Sequence, residues 1–410
     1  MADTASLAQV VAWLRTPEAV RQRCHALLAL AERDTLAHFI FVPDQLERVA
    51  DYVLTVSREN YPDLDIPYHA RWRHFAAGGI DRWGALAADL PATACDETAR
   101  IRFDLCVVSV LLDAGAGPAW RYREAGSGRV LSRSEGLAVA SFHAFRTGLF
   151  SSEPGRPLQA DADGLARLTP GELAAAFQVT AENPLSGLEG RAALMRDLGG
   201  ALRRRPDLFG SAPPRIGLLF DRFRDHPALA AADILRTLLE ALAMIWPGRI
   251  TLGGENLGDV WPHPLAGGTG PAAGLVPFHK LSQWLAYSLI EALEDAGVPV
   301  RGLDSLTGLA EYRNGGLLID LGALRLRNPA LAHAPLPPGH EAVVEWRALT
   351  VALLDRIAAR VRERLGPTAA PLPLARVLEG GTWAAGRKIA RSLRPDGAPP
   401  LAVLSDGTLF

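Results

Sequence analysis

Cysteine is scarce in this chain of 410 residues, which has only Cys24, Cys95 and Cys106. They are odd in number and far apart, forming neither a C-x-x-C metal pair nor a disulfide framework, so a reducing, cytoplasmic compartment is expected. An excess of charge is missing as well: 43 Lys and Arg stand against 45 Asp and Glu, a net charge of −2. With no global basic field the chain is not expected to bind nucleic acid or an anionic membrane, and any phosphate must be met by a local pocket. Long apolar runs are absent too. The most apolar helix-like stretch, Ala231 to Pro247, is interrupted by Asp233, Arg236 and Glu240, so no membrane span is expected. Met1 to Arg15 carries Asp3 early and lacks the basic flank and unbroken apolar stretch of a signal peptide. The sequence holds no G-x-S-x-G elbow, no phosphate loop ending in Gly-Lys-Ser/Thr, no G-x-G-x-x-G opening a helix after a strand, and no H-E-x-x-H. Gly253-Gly254-Glu255-Asn256-Leu257-Gly258-Asp259 looks like a phosphate loop but lacks its lysine.

What is present points to a large folded protein. Hydrophobic types make up 49% and charged types 21%, enough apolar surface to bury a core and exclude disorder. The 39 glycines and 30 prolines cluster, marking where the backbone leaves regular structure. Helical spacing is read at Leu7-Val10-Val11-Leu14, at Leu27 to Leu30, from Pro43 through Val56, and over Asp104 to Leu112, which is nearly all apolar and should be central. Further helices are expected at Gly136 to Phe145, from Pro170, at Gly187 to Leu198, His226 to Trp246, from Pro277, in the Tyr312 to Leu324 region and from Glu341 to Arg364. Leu252 to Pro277 reads as irregular, and Leu401 to Phe410 as a short extended tail. No strand-helix alternation supports a doubly wound sheet, so the fold class is mainly α, multi-helix, with a few short strands. Residues 1–165 read as a helical region with covering loops and 166–410 as a second helical region, together one compact unit.

Four groups of residues carry candidate chemistry. Lys280, Gln283 and Tyr287 fall three and four apart on the helix from Pro277, so an ammonium, an amide and a phenol can share a side suited to a sugar phosphate, against a plain solvated face. Glu311-Tyr312-Arg313-Asn314 stands before Gly315-Gly316, against the simpler reading of a surface Glu311–Arg313 salt bridge. For Glu345-Trp346-Arg347 a buried ion pair that holds a helix is the leading reading. The cluster His69, Arg71, Arg73, His74, Asp81 and Arg82 can hold anions, while His69 and His74 are five apart, the wrong spacing for a helical metal pair. Asp113, at a helix end, and Asp259, before Val260-Trp261, can bind hydroxyls or cap turns.

Longer strings carry a resemblance. Tyr68-His69-Ala70-Arg71-Trp72-Arg73-His74-Phe75, Gly79-Ile80-Asp81-Arg82, Leu111-Leu112-Asp113-Ala114-Gly115-Ala116-Gly117, Ser134-Glu135-Gly136-Leu137-Ala138, Phe278 to Leu285, Glu311 to Gly316 and Ser405-Asp406-Gly407-Thr408 together resemble the fungal and bacterial uracil-catabolism family, the fourth gene product of the yeast uracil-breakdown route. A second, more distant likeness covers about Phe278 to Leu354. Phe278-His279-Lys280 with Gln283, Leu306-Thr307-Gly308-Leu309-Ala310-Glu311-Tyr312-Arg313 and Glu345-Trp346-Arg347-Ala348 are similar to signatures of the queuosine salvage nucleotide N-glycosidases. That likeness implies a helix-hairpin-helix DNA-glycosylase-like architecture and cleavage of an N-glycosidic bond. Glu311 stands where that family has its catalytic aspartate, one methylene longer, which favours activation of a water over direct attack.

Joined, the two resemblances imply hydrolysis of N-ribosylurea 5′-phosphate, or a close ureido-ribonucleotide, to urea and ribose 5-phosphate. Glu311 is then the catalytic carboxylate and Tyr312 packs or donates a hydrogen bond. Lys280 and Arg313 hold the phosphate, Gln283 and Asp113 the ribose hydroxyls or the urea group, and His69 or Asp259 protonates the leaving nitrogen, with Tyr287 on the same helix as Lys280. No metal or other cofactor is expected, and the partner is a small ribosyl phosphate. The alternatives are an amidohydrolase acting on the ureido group and a noncatalytic nucleotide-binding protein.

Overall fold

The computed structural model describes residues 4–91, 94–247, 249–366 and 372–404. The described chain is mainly helical, with strands only in short antiparallel pairs. It divides into two compact units, each assembled from separate stretches of sequence. Among the described residues, one contains 4–69, 249–283 and 302–404; the other contains 70–247 and 284–301. Residue 165, where the sequence suggested a boundary, lies inside the second unit. The tail string Ser405-Asp406-Gly407-Thr408 lies outside the described residues.

The first unit is organised by the helix Glu341–Leu365, whose residues 342–354 are all buried. A helix buried on every side is a core element, and this one packs against Pro17–Glu32 and Gln45–Asn60. Asp355 anchors the first of these contacts by accepting from Arg21 Nε at 2.9 Å and pairing with His25 Nε2 at 2.9 Å. Phe39–Phe41 pairs antiparallel with Leu324–Leu326, setting Phe39 opposite Leu326. The Tyr312 to Leu324 region is therefore a helix, Tyr312–Asp320, followed by a strand. The stretch expected to be irregular contains two short strand pairs; in one, Val260–Pro262 runs beside Leu275–Pro277 with Val260 opposite Pro277.

That pairing corrects one helix start. Pro277 ends a strand instead of opening a helix, and the helix runs Lys280–Asp295. The Asp259 carbonyl accepts from Phe278 N at 2.9 Å, and the Asp259 carboxylate accepts from Lys280 N at 3.1 Å. These bonds, with His279 at φ 48°, turn the chain sharply before the first helical residue.

In the second unit the helix Cys95–Leu111 is the buried centre, as its apolar sequence suggested, with Arg133–Arg146 and Leu188–Arg204 packed against it. The basic cluster after His69 resolves into buried or half-buried pairs. Arg82 donates from Nε and Nη2 to the two Glu124 oxygens at 2.6 Å each, while Ser127 and His143 bind the same carboxylate. Asp81 caps the Arg82–Ala88 helix through Gly84 N at 2.8 Å. The Arg82 hydrogen bonds hold the Glu124 carboxyl down at about 2 against the pull of burial. A depressed carboxyl contributes stability above its unfolded value, near 4.3, and loses it as pH falls through the folded value. We expect about 3 kcal/mol from this pair to vanish between roughly pH 4.5 and 2. Urea denaturation across that range should show a steeper acid loss for the wild type than for Glu124→Gln.

Candidate functional site

Glu311 is the N-cap of helix Tyr312–Asp320. Its backbone is extended at φ −116°, ψ 156°, and its Oε1 accepts from Asn314 N at 2.9 Å. The carboxylate is therefore fixed by one oxygen. Its Oε2 has no hydrogen-bond or ionic partner among the described residues, although Glu311 is only 8% exposed. The simple Glu311–Arg313 salt bridge is not formed. Arg313 lies over the Tyr312 ring, 4.9 Å from its centroid, and donates from Nη1 to the Gly397 carbonyl at 2.7 Å. Its guanidinium thus secures the segment after helix Trp383–Leu393 through one of its nitrogens. The glycines that follow permit close packing. A Cβ on Gly315 would lie 2.6 Å from the Trp346 indole.

The segment leading to Glu311 is tied to the start of helix Lys280–Asp295 by Gln283. Its Oε1 accepts from Thr307 N at 2.9 Å, and its Nε2 donates to the Phe278 carbonyl at 3.0 Å and Thr307 Oγ1 at 2.7 Å. Fully buried, this amide is spent on the protein, so Gln283 positions the site and does not bind ribose hydroxyls. Lys280, the first residue of that helix, is half-buried.

Asp259 lies beneath the same helix end. Arg347 grips it with both terminal nitrogens at 2.8 Å each, and Trp261 Nε1 donates at 2.8 Å. The Arg347 guanidinium also covers the Phe278 ring, 4.1 Å from its centroid. Burial alone would raise this carboxyl, but the Arg347 charge and the hydrogen bonds outweigh it and hold Asp259 far below the usual carboxylate range. Such a group has no proton to give at neutral pH, so Asp259 is not the acid for the leaving group. The ion pair expected between Glu345 and Arg347 is likewise redirected. Arg347 turns to Asp259, while Glu345 accepts from Ala37 N and His38 N at 3.1 Å each.

His69 is held against a carboxylate. Its Nδ1 lies 2.7 Å from Glu379 Oε2, and its ring packs beside Trp383 at 6.0 Å between centroids. Glu379 sits in the π-helical turn Leu378–Thr382, directly before Trp383–Leu393. One turn beyond Trp383, Gly386 lies so close to the Arg313 backbone that a Cβ would be 2.1 Å from its carbonyl oxygen. The His69–Glu379 pair is thus placed by the turn directly before this helix and by Trp383, while the Arg313 backbone packs against its first turn. In the sequence Glu379 is marked only by its position directly before Gly380-Gly381.

Asp113 and Tyr287 belong to the second unit. Asp113 receives Arg71 Nη1 at 2.6 Å and the Ser134 hydroxyl, and Arg71 Nε donates to Ser109 Oγ at 2.8 Å. Asp113 is therefore one half of a buried ion pair at the end of Cys95–Leu111, and Tyr287 is fully buried.

No described helix is long and apolar enough to cross a membrane. Compared with known proteins, the chain is 42% identical to "Protein urg3" of Schizosaccharomyces pombe, covering 98% of this chain and 99% of that one. It is 36% identical to "Uracil catabolism protein 4" of Lachancea kluyveri, covering 91% of this chain and 92% of that one. With residues 13–410 matching it and both relatives aligned over nearly their full lengths, the chain belongs to the family described as "Protein of unknown function (DUF1688)".

Proposed function

We propose that this protein acts in uracil breakdown as an N-ribosidic hydrolase, cleaving N-ribosylurea 5′-phosphate or a close ureido-ribonucleotide to urea and ribose 5-phosphate. The name of the Lachancea relative supports the pathway. The reaction rests on one observation: a buried carboxylate, Glu311, has one oxygen locked by its own helix and the other left for a ligand.

Breaking the bond between C1′ and the urea nitrogen develops positive charge on the sugar, and a fixed carboxylate stabilises it. Water attacks C1′, Glu311 takes its proton, and the bond electrons leave with the nitrogen. The departing nitrogen needs a proton, which His69 supplies while Glu379 orients its ring. Lys280 takes the phosphate; Gln283, Asp259 and Arg313 position the segments on which the reacting groups stand. The near-zero net charge fits a free metabolite better than a nucleic acid.

The test is incubation with ribosylurea 5′-phosphate while following urea, reducing sugar and ammonia together. Equal release of urea and reducing sugar supports the proposal. Ammonia in place of urea points to amide hydrolysis, and no turnover with tight binding points to a noncatalytic role. His69→Asn should lower kcat about 10²-fold on this substrate. It should spare a nitrophenyl riboside phosphate, whose leaving group needs no proton; equal losses on both substrates would remove His69 from the acid role.

A further inference from the structure

A cluster built around Glu345, which has no part in the reaction proposed above, has the chemistry of a cation site. Glu341 and Glu345 are one helical turn apart at the start of Glu341–Leu365 and project to one side. His38 precedes the strand Phe39–Phe41, and His263 follows the strand Val260–Pro262. The ligand atoms of His38, Glu341 and Glu345 all lie within 4.8 Å of one another. His38 Nε2 is 3.9 Å from Glu341 Oε1. His263, 1% exposed, directs an Nε2 that makes no hydrogen bond toward the same carboxylates, 3.5 Å from Glu345 Oε1 and 3.9 Å from Glu341 Oε1.

Charge bookkeeping within the cluster favours a cation. Glu345 is fully buried, and among the described residues no lysine or arginine pairs with it or with Glu341. His263 Nδ1 accepts from Leu265 N at 3.1 Å, which leaves Nε2 as the ring nitrogen that faces the carboxylates. A buried carboxylate without a compensating charge is costly.

We propose that His38 Nε2 and the carboxylates of Glu341 and Glu345 bind a first-row divalent cation of the zinc class, with His263 Nε2–H donating to a ligating carboxylate. One imidazole and two carboxylates form a donor set suited to such a cation. Metal–ligand bonds of about 2.0–2.1 Å place neighbouring ligand atoms about 3.3 Å apart, so the 3.9 Å gap between His38 and Glu341 closes by about 0.6 Å and the widest gap by at most about 1.5 Å. The backbone amides of Ala37 and His38 on Glu345, and Leu265 N–H on His263, fix the second layer that orients metal ligands. Three protein ligands leave at least one position open for water or a ligand.

The experiment is calorimetric titration of the chelator-treated full-length protein with zinc chloride, together with the visible spectrum after cobalt addition. We expect one strong zinc site per chain and a four- or five-coordinate cobalt spectrum. His38→Gln and Glu341→Gln should each weaken zinc by more than about tenfold and abolish the cobalt bands. Both replacements are at half-buried positions, and circular dichroism identical to wild type would confirm folding. Absence of a stoichiometric site in the wild type, or zinc binding unchanged in both folded variants, would overturn the proposal.

Discussion

Glu311→Gln should lower kcat on ribosylurea 5′-phosphate by about 10³-fold, or about 4 kcal/mol of transition-state stabilisation, with KM little changed. The substitution separates the two tasks of this side chain. A glutamine carbonyl can still accept from Asn314 N, so the cap on Tyr312–Asp320 is retained and the fold should lose less than about 1 kcal/mol. What disappears is a negative oxygen beneath C1′ and a base for the attacking water. Glu311→Ala removes the cap as well and should add about 1 kcal/mol of destabilisation to the same catalytic loss. Equal rates in wild type and Glu311→Gln, measured as urea and reducing sugar released per enzyme, would end the assignment of Glu311. Glu311→Asp is informative in another way. The residue is shorter by one methylene, and aspartate is itself a strong N-cap, so a large rate loss in a stable protein would locate the defect in reach.

The helices were readable because their signal is local. An apolar residue every three or four positions survives whatever the rest of the chain does, and Cys95–Leu111 and Glu341–Leu365 are buried much as their periodicity indicates. Pro277 misled because proline is favoured in a first helical turn, yet pairing with Val260 and the bonds from Asp259 place the start at Lys280. Side-chain partners were less legible still. Glu311 and Arg313 are neighbours by number, but a cap position needs an extended backbone and sends the two side chains to different partners. His69 meets Glu379 across 310 residues and Asp259 meets Arg347 across 88, separations at which composition and spacing carry no pairing information. Gln283 shows the limit of residue type as a guide: a polar group at helical spacing from a lysine suggested ligand binding, and the fold uses all of its hydrogen-bonding capacity to hold Thr307 and Phe278.

Breaking the Asp259–Arg347 pair should produce the largest loss of stability, about 3–5 kcal/mol for either Asp259→Asn or Arg347→Met in urea denaturation. Each single change strands the other charge in a buried site where Phe278 and Trp261 exclude water. Asparagine preserves an acceptor for Lys280 N but turns its NH2 toward two donors, Trp261 Nε1 and Arg347 Nη1, so the cost of Asp259→Asn combines these opposed donors with a guanidinium that has lost its carboxylate. The double variant should then cost less than the sum of the singles by about 1–3 kcal/mol, because it leaves neither charge behind. Acid response gives an independent signature. In the wild type the folded Asp259 carboxyl lies below its unfolded value near 3.9, so its contribution is complete at neutral pH and is lost only as pH falls below that value. In Arg347→Met, burial dominates and raises the same carboxyl. The sign therefore reverses: the variant's penalty should shrink as pH is lowered from 7 toward 5, while the wild type shows no corresponding gain. Additive single effects, or an Arg347→Met deficit that stays constant over that range, would show that the pair does not control the start of helix Lys280–Asp295.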